Sequence, residues 1–147
     1  MLTLRGEPFA GGKSRFSDEL PVNPEVTAKV YVRIQAGTLL EPFLAQLDTG
    51  AAYSVLEPEI VEAIGASSDP GSPARLSVKG LEFDGRLIKI PITLLADEGV
   101  ALSVDATVFV AANLPPGKNF LGYTGFLEAI RFAVDPQKNN FYFGPSS

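Results

Sequence analysis

The chain has 147 residues, of which 46% are hydrophobic and 20% charged, and its formal net charge at pH 7 is −5. This length and composition favour a single domain with one hydrophobic core. Because the chain contains no cysteine and no histidine, disulfide frameworks, thiol chemistry, Ser-His or Cys-His nucleophile pairs and the common zinc sites are excluded. Its basic residues are scattered along an acidic chain, so nucleic acid and anionic membrane are poor partners.

The first 27 residues are rich in glycine, proline, serine and charge, and Gly11-Gly12, Pro21 and Pro24 interrupt any hydrophobic period. This composition predicts a flexible N-terminal arm, or an edge strand, over residues 1–27 and one folded domain over residues 28–147. The chain does not begin with a basic segment followed by an apolar run, and no apolar stretch approaches the about 18 residues of a membrane span. We therefore expect a cytoplasmic protein.

From residue 29 onward the hydrophobic pattern is mainly that of β-strands. Apolar and polar residues alternate in short runs that are separated by clusters of glycine, proline, serine and aspartate. The predicted strands cover residues 30–35, 43–47, 53–56, 76–79, 87–94, 102–111, 120–122, 132–135 and 139–144. Residues 76–94 read as a long hairpin whose tip is bracketed by Gly80 and Gly85.

Two short helices are predicted within this β pattern. Residues 58–64 have proline at an early helical position, acid in the first turn and Gly65 where the helix would end. A second brief helix is expected around residues 125–130. The sequence therefore predicts a mostly β protein with one or two short helices.

The most informative motif is Asp48-Thr49-Gly50-Ala51, which lies between two apolar strands. A carboxylate at this position would be nearly buried, which is unfavourable unless neighbouring N–H and hydroxyl groups donate hydrogen bonds to it. Thr49 and Gly50 are suited to donate those bonds. The motif also fits an Asx-type turn in an unrelated β-barrel, and this reading stays open from the residues alone.

A second motif, Phe120-Leu121-Gly122, consists of two hydrophobic residues and a glycine and precedes the second short helix and the closing hairpin. In the order of these parts, over residues 30–144, the chain resembles the retropepsin-like (retroviral-type) aspartic proteases, which include bacterial and DNA-damage-inducible relatives. The resemblance implies a closed acid-protease barrel with a flap hairpin. The chain departs from the viral members at Ala52 and Tyr123, where those proteins carry an acidic residue and an arginine that form an ion pair.

The resemblance also implies site residues. Asp48 matches the catalytic aspartate, the Thr49 hydroxyl would reach across a dimer axis to the partner's loop, and the Gly50 carbonyl would accept a hydrogen bond from a bound peptide. Residues 79–86 would form the flap. The implied substrate-binding residues are Ala51, Phe120, Leu81 and Phe83, and the residues that would support the catalytic loop are Leu121 and Gly122.

Amide hydrolysis by this chemistry needs two carboxylates that share one proton, one acting as base toward water and the other as acid toward the scissile carbonyl. Because the chain has a single Asp-Thr-Gly, a homodimer must bring two copies of Asp48 together. The sequence thus predicts an aspartic endopeptidase that acts on extended peptides, without metal or cofactor, at pH values on the acid side of neutrality. The alternative is a non-catalytic dimeric module of the same fold that binds a peptide or protein.

Overall fold

The computed structural model describes residues 1–18, 29–78 and 80–146. Strands account for 57% of the structure and helices for 7%, which confirms the prediction of a mostly β protein. The strands are β1 (Leu2–Leu4), β2 (Glu7–Ala10), β3 (Gly12–Arg15), β4 (Tyr31–Ala36), β5 (Leu39–Leu47), β6 (Ser54–Val55), β7 (Ser72–Val78), β8 (Leu81–Leu94), β9 (Glu98–Gly99), β10 (Leu102–Val110), β11 (Phe120–Leu121), β12 (Ile130–Asp135) and β13 (Asn140–Pro145). The helices are α1 (Pro58–Ala63) and a 3₁₀ turn (Leu127–Ala129).

Six of the strands close into a mixed β-barrel. Going round the barrel, the order is β10, β6, β11, β5, β4 and β8, and β8 pairs with β10 to complete the ring. The pairs β10–β6 and β11–β5 are parallel, whereas the others are antiparallel. Closure leaves these six strands without a free edge and fixes the ends of β5 and β11 side by side.

The barrel core follows from the period-two pattern that the sequence shows. Lys89 and Pro91 of β8 are exposed, whereas the residues that alternate with them are buried. The buried residues of β8 in the main core are Ile88, Ile90, Ile92 and Leu94. Fully burying each such aliphatic side chain stabilises the fold by about 1.5–3 kcal/mol.

A second, four-stranded sheet has the order β12, β13, β3 and β9. It shares its core with the barrel, because Phe141 and Phe143 belong to the same buried cluster as Val32 and Ile34. The rings of Phe141 and Phe143 lie 5.5 Å apart at a tilt of 36°, an arrangement that aromatic pairs favour. The two ends of the chain therefore meet in one sheet against the barrel.

The prediction of a flexible arm over residues 1–27 is wrong for residues 2–15, which form β1, β2 and β3. Strand β3 lies between β13 and β9. Gly12, which suggested a loop, is buried there, and a Cβ at this position would lie 2.8 Å from a ring carbon of Phe143. The glycine is therefore required by close packing inside a sheet. Residues 19–27 of the predicted arm lie outside the described residues.

Both predicted helical regions are present, one shorter than expected. Helix α1 begins at Pro58 and ends at Ala63, and Gly65 follows with φ of 75°, the left-handed conformation that commonly ends helices at glycine. The second region is a single 3₁₀ turn. In the part of the chain that the structure describes, no helix is long and apolar enough to cross a membrane.

The predicted hairpin is formed by β7 and β8, but its tip is shorter than expected. Strand pairing continues as far as Val78 opposite Leu81. Gly80, with φ of 80°, therefore lies in the turn itself. Lys79, which precedes it, lies outside the described residues.

Gly85 does not bracket the hairpin tip, because it lies inside β8 opposite Ala74. A Cβ on Gly85 would overlap the backbone carbonyl of Val110 and lie 2.8 Å from the ring of Phe109. Strand β8 thus needs glycine where it passes the end of β10. The glycine is required by packing against a distant strand, so the prediction that Gly85 marks the hairpin tip is wrong.

Candidate active site

The Asp-Thr-Gly loop follows directly after β5, at the point where that strand leaves the barrel. The Asp48 N–H donates a hydrogen bond of 3.0 Å to the Leu121 carbonyl, and the Ala51 N–H donates one of 3.2 Å to the Asp48 carbonyl. The first bond extends the parallel pairing of β5 with β11, in which Leu47 lies opposite Leu121. The sequence forms a tight turn here because residues 48–51 combine a short acceptor side chain with small residues.

The Asp48 carboxylate is oriented by its own loop. Its Oδ1 atom accepts a hydrogen bond of 3.0 Å from the Gly50 N–H, as expected for one of the two predicted donors. Thr49 is exposed and, among the described residues, makes no hydrogen bond to this carboxylate. The prediction that Asp48 is nearly buried is wrong for the single chain, where it is only half-buried. Thr49 and Gly50 beside it are exposed, so the carboxylate stays partly accessible.

Leu121 and Gly122 pack behind this loop. Leu121 is fully buried, and the Gly122 N–H donates a hydrogen bond of 3.0 Å to the buried Ser54 hydroxyl. A Cβ on Gly122 would overlap the Tyr53 carbonyl and lie 2.8 Å from the Ser54 nitrogen. The backbone of residues 53–54 thus passes against residue 122 so closely that only glycine fits.

Backbone hydrogen bonds join the two motifs further along the chain. The Tyr123 N–H donates to the Ala51 carbonyl at 2.9 Å, and the Thr124 N–H donates to the Ala52 carbonyl at 2.9 Å. Ala52 and Tyr123 are the positions at which the chain lacks the ion pair of the viral proteins. In this structure main-chain bonds connect these segments, and they need no buried charge.

A cavity of about 530 Å³ opens beside the Asp48 carboxylate. The Asp-Thr-Gly loop and the residue after it line the cavity with Asp48, Gly50, Ala51 and Ala52, and the barrel strands line it with Val55 and Phe120. Ala51 and Phe120, two of the predicted substrate-binding residues, therefore border the cavity, and their contact with a substrate stays a prediction. A cavity of this size with a mainly apolar lining and few polar groups has the general character of a ligand site.

The hairpin contributes to this cavity through β7, whereas Leu81 and Phe83 are not among the lining residues. Phe83 is buried in a second core cluster together with Val55 and Phe120, which do line the cavity. Leu81 lies at the start of β8 with 63% of its surface exposed, and the contact of both side chains with a substrate stays a prediction. The cavity is instead lined by Leu76, Ser77 and Val78 of β7.

Two polar lining residues, Lys29 and Gln46, were not identified from the sequence. For Gln46 a signal exists, because it lies near the end of a predicted strand and precedes Asp48 by two residues, so that both side chains share a face if the extended backbone continues to residue 48. Lys29 could be found only from the pairing of β4 with β5. Among the described residues, no group of three or more acidic side chains could hold a metal ion.

The outer face of the hairpin carries an ion pair whose titration can be tested. Arg75 Nε donates a hydrogen bond of 2.8 Å to Asp84 Oδ1. This bond, together with the charge of Arg75, holds the pKa of the Asp84 carboxyl below its ordinary value of 3.8. Because the folded-state pKa is the lower one, the pair stabilises the protein above the unfolded pKa, and this contribution is lost as pH falls through the folded value. Both side chains are exposed, so the effect is small and screened by salt.

We expect the Asp84 carboxyl carbon, followed by NMR, to titrate with a midpoint below 3.8 and Arg75→Met to raise that midpoint. An unchanged midpoint in the Arg75→Met variant would show that the ion pair does not form in solution.

A scan against protein-family models finds no matching family, and a search of the curated proteins finds no significant match.

Proposed function

We propose that the protein is an aspartic endopeptidase of the retropepsin-like type that acts as a homodimer. The observation that carries the proposal is the Asp48 loop, backed by Leu121 and Gly122, with its half-buried carboxylate at the edge of a cavity beneath a β-hairpin. An isolated Asx turn would need neither the glycine fitted against residues 53–54 nor the cavity. The order of motifs along the chain supports the same assignment.

The proposed reaction uses Asp48 from each of two chains. One carboxylate takes a proton from a water molecule, whose oxygen bonds to the scissile carbonyl carbon, while the other donates its proton to the carbonyl oxygen. As the C–N bond breaks, the carboxyl that took the water proton gives it to the nitrogen, and a hydroxyl of the tetrahedral intermediate returns a proton to the other carboxylate. The two peptide fragments then leave. Because the dyad must share one proton, activity is highest on the acid side of neutrality.

The surface around the carboxylate supports pairing of two chains. Thr49 and Gly50 are exposed, and Tyr123 is exposed over 55% of its surface. An isologous interface on a twofold axis through this end of the barrel would cover these residues and place the two carboxylates side by side. In that arrangement the Thr49 hydroxyl is the group that reaches the partner subunit's loop.

The hairpin supports an extended substrate. Strand β7 is the last strand of its sheet, so one of its edges carries unpaired main-chain N–H and C=O groups. Because residues 76–78 of this strand line the cavity, an extended peptide lying there can pair with the strand edge while its side chains enter the cavity. This contact, together with the Gly50 carbonyl, would hold the scissile bond over the two carboxylates.

The test is cleavage of a mixed peptide library between about pH 3 and pH 8, a range that spans ionisation of a dyad of carboxylates, with molecular mass in solution recorded at each pH. We expect a dimer that cuts internal bonds, fastest below neutrality. A rate that rises steadily into alkaline pH would contradict the shared-proton mechanism. A stable dimer that binds library peptides without cutting any would support the non-catalytic module instead.

A further inference from the structure

The cavity beside Asp48 contains one cation among its described lining residues. That cation is Lys29, and the other polar side chains there, apart from Asp48, are Gln46 and Ser77. The remaining lining is glycine or apolar. A single positive charge in such a cleft is an unusual feature for a site that binds only apolar side chains, since a charge in an apolar setting is unfavourable without a partner.

Extrapolated beyond the ends of the two strands, the register of β4 with β5 places Lys29 across from Asp48. In the antiparallel pair β4–β5, Tyr31 lies opposite Gln46, and the Leu47 N–H donates a hydrogen bond of 2.8 Å to the Val30 carbonyl. Continued by one more residue in each direction, this register brings Lys29 opposite Asp48. Directly opposed residues on one face have Cβ atoms about 4.5–5.5 Å apart, and Gln46 lies on the same face, two residues before Asp48.

No carboxylate of the described chain neutralises Lys29. Within residues 1–18, 29–78 and 80–146, the cations in ion pairs are Lys13, Arg33 and Arg75. Asp48 forms no ion pair with Lys29, and its Oδ1 atom is occupied by the Gly50 N–H. The Lys29 side chain is half-buried, so a carboxylate that enters the cavity meets an ammonium that is less screened than one in open solvent.

We propose that Lys29, assisted by the Gln46 side-chain amide, forms a subsite that selects an aspartate or glutamate side chain of the substrate close to the scissile bond. This inference rests on the proposed function and names the substrate class of the same site. The ammonium and the amide donate hydrogen bonds to the carboxylate, and charge-assisted bonds of this kind are the stronger ones. Leu76 and Val78 line the same cavity and suit the methylene groups of such a side chain.

The position of the subsite follows from its distance to the reacting atoms. An extended peptide points successive side chains to opposite faces. Because Lys29 is the residue across from Asp48, the acidic side chain lies within about two residues of the bond that is cut. Lys29 is thus a specificity-determining residue and takes no part in the chemical step.

The test uses peptides with amidated ends that differ only by glutamate or glutamine at each position within three residues of the cleaved bond. At about pH 6, where glutamate is ionised, we expect wild-type kcat/KM to be about tenfold higher for glutamate at one position. Lys29→Met should bring this ratio close to one, and Lys29→Glu should favour lysine there. Lys138→Met is the matched control, because Lys138 is exposed in the turn between β12 and β13, and it should leave the ratio unchanged.

The pH dependence of the same ratio is a second readout. It should fall toward one below about pH 4, where the substrate glutamate becomes neutral, while the ratio for a pair of neutral peptides stays constant. A peptide with a free carboxyl end and no acidic side chain distinguishes the two sources of a carboxylate. If only the free end is preferred, the side-chain assignment is overturned.

The outcomes separate this inference from the proposed function. If the wild type cuts the glutamine peptides as fast as the glutamate peptides, the acidic subsite is overturned and the endopeptidase stands. If nothing is cut, the proposed function fails, and fluorescence anisotropy of labelled peptides then decides the subsite by itself. Tighter binding of the glutamate peptide than of the glutamine peptide supports the subsite if Lys29→Met removes the difference and unfolds at the same temperature as the wild type. Equal binding of the two peptides by the wild type refutes the subsite.

Discussion

Mixing wild-type chains with Asp48→Asn chains should lower peptidase activity with the square of the wild-type fraction. Each proposed site takes one Asp48 from each chain, so an equal mixture that pairs at random has about a quarter of its dimers with two aspartates. Asparagine cannot take a proton from water or donate one as an acid, so we expect the pure variant to lose about 10²–10⁴-fold in kcat. The measurement is the initial rate against composition at constant total chain, after time for the subunits to exchange.

Asp105→Asn is the control, because Asp105 is exposed on β10 and the same mixing series should then stay flat. The Asp48→Asn chain should keep its dimer mass, since the asparagine oxygen can still accept the Gly50 hydrogen bond. A linear fall in rate would mean that each chain holds a complete site by itself. Full activity in the pure variant would mean that Asp48 is only a turn residue.

The strands of the barrel could be predicted because their information is local, whereas their closure into a barrel was implied only by the family resemblance. Strands such as β8 and β10 alternate apolar and polar residues over many positions, and one buried face is the physical reason for that alternation. Helix α1 is similarly marked by Pro58 at its start and Gly65 after its end. These elements depend on neighbours within a few residues, so composition and period identify them.

The N-terminal strands could not be predicted, because their stabilisation comes from distant residues. Gly12 and Ser14 are small and would favour a loop, but in β3 they are buried inside the sheet that β3 forms with β13. Phe16 is also buried in the common core. Pairing between the two ends of a chain leaves no periodic signal at either end, and tertiary packing here overrides local propensity.

Only part of the candidate site could be predicted, because the rest also depends on contacts between distant residues. The motif resemblance locates Asp48 and the Leu121–Gly122 pair, whose backbone contacts the structure then shows. It does not determine which strand of the hairpin borders the cavity, since that depends on how β8 crosses the barrel at Gly85. Lys29 escaped notice because its relation to Asp48 exists only once β4 and β5 are paired.

We expect Gly122→Ala to inactivate the protein, because the added methyl group would displace the backbone that packs behind the Asp48 loop. The added Cβ would overlap the Tyr53 carbonyl and approach the Ser54 nitrogen to 2.8 Å, and both of these groups belong to backbone held in the barrel. Relief requires β6 or the catalytic loop to shift, which we expect to lower the free energy of unfolding by about 1–3 kcal/mol or more. Urea denaturation and kcat measured on the folded fraction would test both effects.

Gly11→Ala is the matched control, because Gly11 is exposed and a Cβ there has no atom within 4 Å. Its effect on unfolding should stay within about 0.5 kcal/mol, as for most surface substitutions. If Gly122→Ala fails to fold, Ser54→Ala addresses the same contact without added bulk. It leaves the Gly122 N–H without its 3.0 Å acceptor, which is expected to destabilise the protein by about 1–3 kcal/mol and to lower kcat.

A Gly122→Ala protein with wild-type stability and kcat would show that residues 53–54 move aside freely, and that the backbone bonds of Asp48, Tyr123 and Thr124 are enough to hold the Asp48 loop. Loss of kcat with stability retained would be the more informative result, because it would show that the close fit behind the loop serves the orientation of the Asp48 carboxylate rather than the fold. Loss of kcat would indicate a loop that depends on the packing behind it, and unchanged kcat would indicate a loop that does not.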